Sequence, residues 1–387
     1  MAKLLIKNAN IISKDAILEN YGILCDSGKI IKFGKTADFR QISEVEVIDA
    51  EGKYLAPGFI DLHFHGIGNY LVDNGIDDLE HICKILPRYG VLGFLPTVAP
   101  KPKGLDIKFL AELSKVKSAG AQVLGFHLEG PFLTLTGSLP SEALGEADSE
   151  RVKALIEATH PYKAIFSISP EFESITDLIS LMTKNDTPVF ITHTKANVRQ
   201  TLQAIKAGAC HATHFYDVFY PPDETDHGVR PCGAVEVILA DEQVSVDFIV
   251  DCVHVDPVAV KMALKCKGLD KVCLITDANI GTGNKPGKYM FGKNEIEFKY
   301  PGSPARMTEN SSSPGGLAGS GLTMNIAVKN AVEILGLDLP SAVRMASANP
   351  ANVLGLKNKG RIEEGFDADW ILMNEDYEII NTSVNFA

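Results

Sequence analysis

Between positions 59 and 276 the chain repeats one texture: a short apolar run, then a segment long enough for a helix, then another run. Strands that alternate with helices pair in parallel and need cover on both faces, so this alternation leaves few folds open. The apolar runs fall at 59–65, 93–97, 123–129, 164–169, 189–193, 212–214, 248–251 and 272–276. Helices are expected at 78–89, 106–118, 149–159 and 198–207. Eight such strands predict an α/β chain with a (β/α)8 TIM-like barrel.

The ends of the chain read differently. Leu4-Leu5-Ile6, Ile11-Ile12, Gly22-Ile23-Leu24 and Val45-Glu46-Val47-Ile48 are β-rich, with a turn signal at Asp26-Ser27-Gly28-Lys29. Turn-and-strand character returns at Gly360-Arg361-Ile362 and runs to Trp370-Ile371-Leu372. The expectation is one small β domain built from both termini, residues 1–57 and 351–387, around a barrel at 58–350. Residues 286–321 are rich in Gly, Pro and Ser and are expected to form a lid or binding loop. Further helices are expected near 323–335 and 339–346.

At 387 residues and 45% hydrophobic content, the chain can bury a substantial core. Its net charge of −12 argues against nucleic acid or an anionic membrane as the main partner. The seven cysteines form no CxxC pair, so neither a disulfide framework nor a thiolate zinc site is indicated. The opening Met1-Ala2-Lys3-Leu4-Leu5-Ile6-Lys7 is too broken by lysine for a secretory signal. No apolar run approaches the ~20 residues of a membrane span. A cytoplasmic protein acting on a small molecule is expected.

Chemistry in such a barrel sits at the carboxyl ends of the strands. The first run carries Asp61-Leu62-His63-Phe64-His65-Gly66, and period 2 puts His63 and His65 on one face. Two imidazoles there suit one metal ion, although taken alone the pair reads first as a core histidine beside a surface one, and it is the other strand ends that favour the metal. Other strand ends add Glu129, His193, His214, Asp251 with His254, and Asp277. Nitrogen and carboxylate ligands without thiolates suit one or two divalent transition ions, Zn, Fe or Mn. Such a set supports hydrolysis, with a carboxylate outside the ligands moving protons. Asp277 is the candidate for that shuttle; the competing role is a helix N-cap. His127 lies one layer deeper than Glu129 on the same face. His81 and His160 are expected at the surface, His211 to pack or cap, and His227 to be either exposed or near substrate.

These residues resemble the amidohydrolase superfamily, and more narrowly the N-acetylglucosamine-6-phosphate deacetylases. The likeness is carried by Pro57-Gly58-Phe59-Ile60-Asp61-Leu62-His63-Phe64-His65-Gly66, His127-Leu128-Glu129-Gly130-Pro131-Phe132, Thr192-His193, Thr213-His214, Thr276-Asp277-Ala278 and Leu317-Ala318-Gly319-Ser320. The resemblance implies that Glu129, His193 and His214 hold one metal, that His63 and His65 hold a second, and that Asp277 is the proton shuttle. It also implies a TIM barrel with a small β-sandwich from both termini, and a homodimeric metal-dependent hydrolase that removes acetate from an amino-sugar phosphate, with His254, Asp217, Val218, His227 and Arg230 as candidates for substrate contact. Three departures stand out. No histidine appears in Leu133-Thr134-Leu135-Thr136-Gly137-Ser138-Leu139-Pro140, where the family has one. Asp217-Val218-Phe219 replaces an Asn-Ala-Met run. The expected arginine is out of register, with Arg230 nearest.

Overall fold

A computed structural model of the chain describes residues 3–40, 45–223, 226–311 and 313–384. Among these residues, the strands Phe59–Phe64, Val91–Val98, Phe126–Glu129, Ala164–Ile168, Val189–Ile191, Ala209–Ala212, Ser245–Ile249 and Val272–Ile275 are hydrogen-bonded in chain order, and every pairing is parallel. The last strand end meets the first, where the Asp277 amide donates to the His63 carbonyl at 3.0 Å and the His65 amide to the Ala278 carbonyl at 2.9 Å. This is the expected barrel. Its strands are buried on both faces, which is why they read as continuous apolar runs.

The third run, expected as one strand over 123–129, is two. Gln122–Val123 and Phe126–Glu129 both pair with Val91–Val98, and the ladder breaks at Leu124-Gly125. The helices that cover the barrel start where side chains satisfy their first free amides. Asp148 accepts from the Glu150 and Arg151 amides ahead of Ser149–Ala158, and Asn197 and Gln200 form a reciprocal capping pair ahead of Val198–Ala207. Ile175–Lys184, Ala234–Ala240, Pro257–Lys267 and Ala348–Val353 are helices in addition to those expected.

The two chain ends share a sheet. Trp370–Met373 pairs antiparallel with Tyr54–Pro57, and Ile379–Thr382 lies at its edge. The expected sandwich is hydrogen-bonded as a single seven-stranded sheet, packed on Ile6, Ile11, Ile23, Leu55 and Trp370.

Residues 286–321 are not a plain loop. They contain a three-stranded antiparallel sheet, Gly287–Phe291, Asn294–Phe298 and Ala305–Met307, with a core of Leu71, Phe291, Ile296, Phe298 and Ala318. Its strands are three to five residues long, and the surrounding Gly and Pro residues mask their alternation.

Candidate active site

Six side chains from five strand ends converge at one mouth of the barrel. His63 and His65 share a face, and their Nε2 atoms lie 3.2 Å apart. Glu129 bridges the set. Its Oε1 is 3.2 Å from His193 Nε2 and 3.0 Å from His214 Nε2; its Oε2 is 3.4 Å from His65 Nε2 and 3.7 Å from His63 Nε2. Asp277 Oδ1 sits across from it, 3.4 Å from His65 Nε2 and 3.5 Å from His63 Nε2. All six residues are buried.

The strands stop short of four of these residues, His65, His193, His214 and Asp277. His193, His214 and Asp277 have φ of 47°, 34° and 47°. Left-handed backbone at non-glycine residues costs about 1–3 kcal/mol and persists only where the surroundings enforce it. Here it ends each ladder and turns the side chain toward the barrel axis. Asp247 enforces the turn at His214, accepting its backbone amide together with Thr213 Oγ1 at 3.1 Å and His211 Nε2 at 2.8 Å. Close approach fixes two glycines. A Cβ on Gly137 would lie 2.8 Å from His193 Cε1, and one on Gly319 would lie 2.7 Å from the Asp277 carbonyl; both have positive φ.

Two groups have the composition and convergence of a metal centre: His63, His65 and Glu129, and Glu129, His193 and His214, each with ligand atoms within 4.8 Å of one another. The donor chemistry fits. The His63 and His65 nitrogens face each other at a distance that allows only one of them a proton, and Asp277 Oδ1 is buried with no hydrogen-bond partner. A divalent cation is the species that such a cluster accommodates. Electrostatics point the same way. Burial alone would raise Glu129, yet the surrounding histidines hold it well below the usual carboxylate range. Burial opposes protonation of His214, but its Glu129 contact outweighs this and carries it to about 10. Burial pushes Asp277 up to about 6, so it is the carboxylate of the pair whose protonation changes near neutrality.

The remaining candidates are scattered. His254 is buried, donates from Nδ1 to Asp251 at 2.7 Å, and has no partner at Nε2. Asp217 and Val218 line a cleft of about 230 Å³ above the cluster, together with His65, Glu129, His193, His214 and Asp277. His227 and Arg230 are not brought to this cleft. Both are exposed, and Arg230 pairs with Glu236 at 2.7 Å. Glu224 and Thr225 of the same loop lie outside the described residues. His127 binds the Leu62 carbonyl at 2.8 Å and the Ser167 hydroxyl, and burial lowers it to about 4, so it packs beneath the cluster. His211 packs against Asp247, while His81 and His160 are exposed.

The sequence did not point to Ser138, Tyr220, Asn279, Phe291, Met307 or Ser313 in the cleft wall. Glu171 also went unnoticed. It accepts from Thr134 Oγ1 and Thr194 Oγ1, both at 2.5 Å, and so joins two loops that frame the mouth.

Comparison with known proteins gives a consistent result. The amidohydrolase family profile matches residues 54–386. An N-acetylglucosamine-6-phosphate deacetylase of Lysinibacillus sphaericus is 30% identical over 378 residues, covering 96% of this chain and 94% of that one. An N-acetylgalactosamine-6-phosphate deacetylase of Escherichia coli O157:H7 is 31% identical over 318 residues, 81% of each chain. The crystal structure of an N-acetylglucosamine-6-phosphate deacetylase from Pasteurella multocida superposes with a TM-score of 0.87 at 26% identity, covering 99% of this chain and 98% of that one. The likeness runs through the barrel and into the strand that rejoins the N-terminal sheet, and on that ground the chain belongs to the amidohydrolase family.

Proposed function

We propose that this chain hydrolyses the N-acetyl amide of an amino sugar, N-acetylglucosamine-6-phosphate or a close relative, releasing acetate and the free amine. The observation that carries the reading is Glu129 placed between two histidine pairs, with the Asp277 carboxylate opposite. Glu129, His193 and His214 would hold one divalent ion; His63 and His65, with Glu129, would hold a second. A divalent ion held by these residues, Zn, Fe or Mn, would supply a Lewis acid for the scissile carbonyl and a water of lowered pKa, from 15.7 to about 7.

The protein's own share is proton transfer and position. Asp277 Oδ1 accepts a proton from the attacking water as its oxygen bonds to the carbonyl carbon. The same carboxyl then gives that proton to the sugar nitrogen as the C–N bond breaks. Burial opposes protonation of His254, but its Asp251 contact raises it, and in the protonated ring Nε2 is a free donor for a substrate oxygen while Nδ1 donates to Asp251. Asp247 and the backbone at His214 fix the ligand ring before substrate arrives.

Among the described residues no helix is long and apolar enough to cross a membrane, and the net charge is −12; both fit a small-molecule substrate. Family membership supports a cytoplasmic homodimer. The exposed Val253, Val258 and Met262 on and before Pro257–Lys267 offer an apolar face for it, to be checked by light scattering.

The test is acetate release across N-acyl amino sugars, paired with metal analysis of the same sample. Turnover that scales with bound metal is expected. A metal-replete protein inert on every amide in the panel would sink the reading in favour of a silent sugar-binding relative.

A further inference from the structure

A histidine is a good ligand only when its second nitrogen holds the ring in the right tautomer and orientation. His193 Nδ1 donates to the Leu135 carbonyl at 3.1 Å. A carbonyl only accepts, so Nδ1 carries the proton and Nε2, the nitrogen facing Glu129, is left for a metal. Leu135 belongs to the loop at 133–140, whose Gly137 also lies against the imidazole.

One carboxylate grips the chain on both sides of that contact. Glu171, just past Ala164–Ile168, accepts the Thr134 hydroxyl on Oε1, next to Leu135. The Thr134 amide donates to Ser169 Oγ at 3.0 Å, and Ser169 Oγ donates to the His193 carbonyl at 2.7 Å. Beyond His193, Glu171 Oε1 accepts the Lys195 amide at 2.8 Å and Oε2 the Thr194 hydroxyl. Thr194 then fixes the segment after His214: its amide donates to the Val218 carbonyl at 3.0 Å, and the Tyr220 amide to its own carbonyl at 2.8 Å. Bonds to an ionised acceptor are about twice as strong as neutral ones, so a carboxylate here holds the loops more firmly than an amide would.

We propose that Glu171 is a positioning residue for the Glu129, His193 and His214 metal group: by tying Thr134 to Thr194 it keeps the Leu135 carbonyl on His193 Nδ1 and the imidazole aimed at the ion. This rests on the metal-hydrolase reading above and names the residue that readies one of its two ion sites. A clamp that served stability alone would leave the metal affinity of the folded protein unchanged.

The test is zinc binding by equilibrium dialysis of the metal-stripped full-length protein, well below its unfolding temperature. Glu171→Ala is expected to weaken one bound equivalent by about 10–100-fold, the usual cost of losing an outer partner of a ligand histidine. Glu171→Gln keeps an oxygen for Thr134 and can donate to the Thr194 hydroxyl, so it is expected to recover most of that affinity. The effect of Glu171→Ala should vanish when His193→Ala is already present and persist beside His65→Ala, which breaks the other group. Should Glu171→Ala not fold, Thr134→Val removes one of the two hydroxyl ties and should weaken zinc in the same sense. Affinity within about twofold of the unaltered protein in whichever variant folds, or the same loss with His193→Ala in place, overturns the proposal and leaves the hydrolase reading intact. An unaltered protein that binds no zinc removes both.

Discussion

The floor and the outer wall of the cleft are built by different means. On the floor, His63, His65, Glu129, His193, His214 and Asp277 sit on or just past barrel strands, and their backbone is held by the ladder and by Asp247. The wall is assembled from loops and from the small sheet: Ser138, Asp217, Tyr220, Phe291, Met307 and Ser313 come from separate segments. A floor fixed by the barrel preserves one chemistry, whereas a wall of loops changes without disturbing it. Here the floor fits a metal hydrolase, while the wall brings the Asp217 carboxylate and the Tyr220 ring to the mouth.

Removing a floor ligand should have the largest effect. His193→Ala is expected to cost more than about a hundredfold in metal affinity, beyond what outer-shell changes cost, and to take activity with it. Metal retained at the unaltered level would break the ligand assignment. Asp277→Asn is expected to keep its metal and lose about 10²–10⁴ in turnover, the range that general acid–base catalysis supplies. Its pH dependence has a defined sign. Asp277 accepts a proton only when ionised, and burial lifts it to about 6, so kcat/KM should rise with pH through or below about 6, a bound cation moving the limb lower. An acid limb that persists unchanged in Asp277→Asn would assign it to another group.

Changes to the wall should be milder and should spare the metal. Tyr220→Ala is expected to raise KM by about 2–10-fold, the worth of one aromatic contact, with kcat and metal content kept. A fall in metal content would show that wall and floor are not separable. Arg230→Ala should change kcat/KM by less than about twofold, as an exposed residue paired on Glu236 would. A larger loss would bring Arg230 back to the substrate.

The same division explains what could be read from the sequence. Strands buried on both faces announce themselves as apolar runs, and the barrel rule places residues at their carboxyl ends on one rim, so the barrel and the convergence of the six floor residues were legible. The ends of the strands were less so. His193 and His214 were expected inside strands, but the ladders stop at Ile191 and Ala212, because a positive φ cannot continue a ladder, and nothing in the residue types announces it. The sheet at 287–307 was hidden because its strands are short and interrupted by Gly292 and Pro301. The pairing of Arg230 with Glu236 follows from how its loop meets the next helix, Ala234–Ala240, which spacing along the chain does not encode.

Tyr54–Pro57 leads directly into the strand that carries His63 and His65, and its antiparallel neighbour is Trp370–Met373. During synthesis that edge waits, unpaired on one side, until Trp370–Met373 has left the ribosome. A chain ending before Trp370 would therefore be expected to hold every floor residue and still lack the brace beneath the first two. Closing that sheet and bracing the first two histidines become one event.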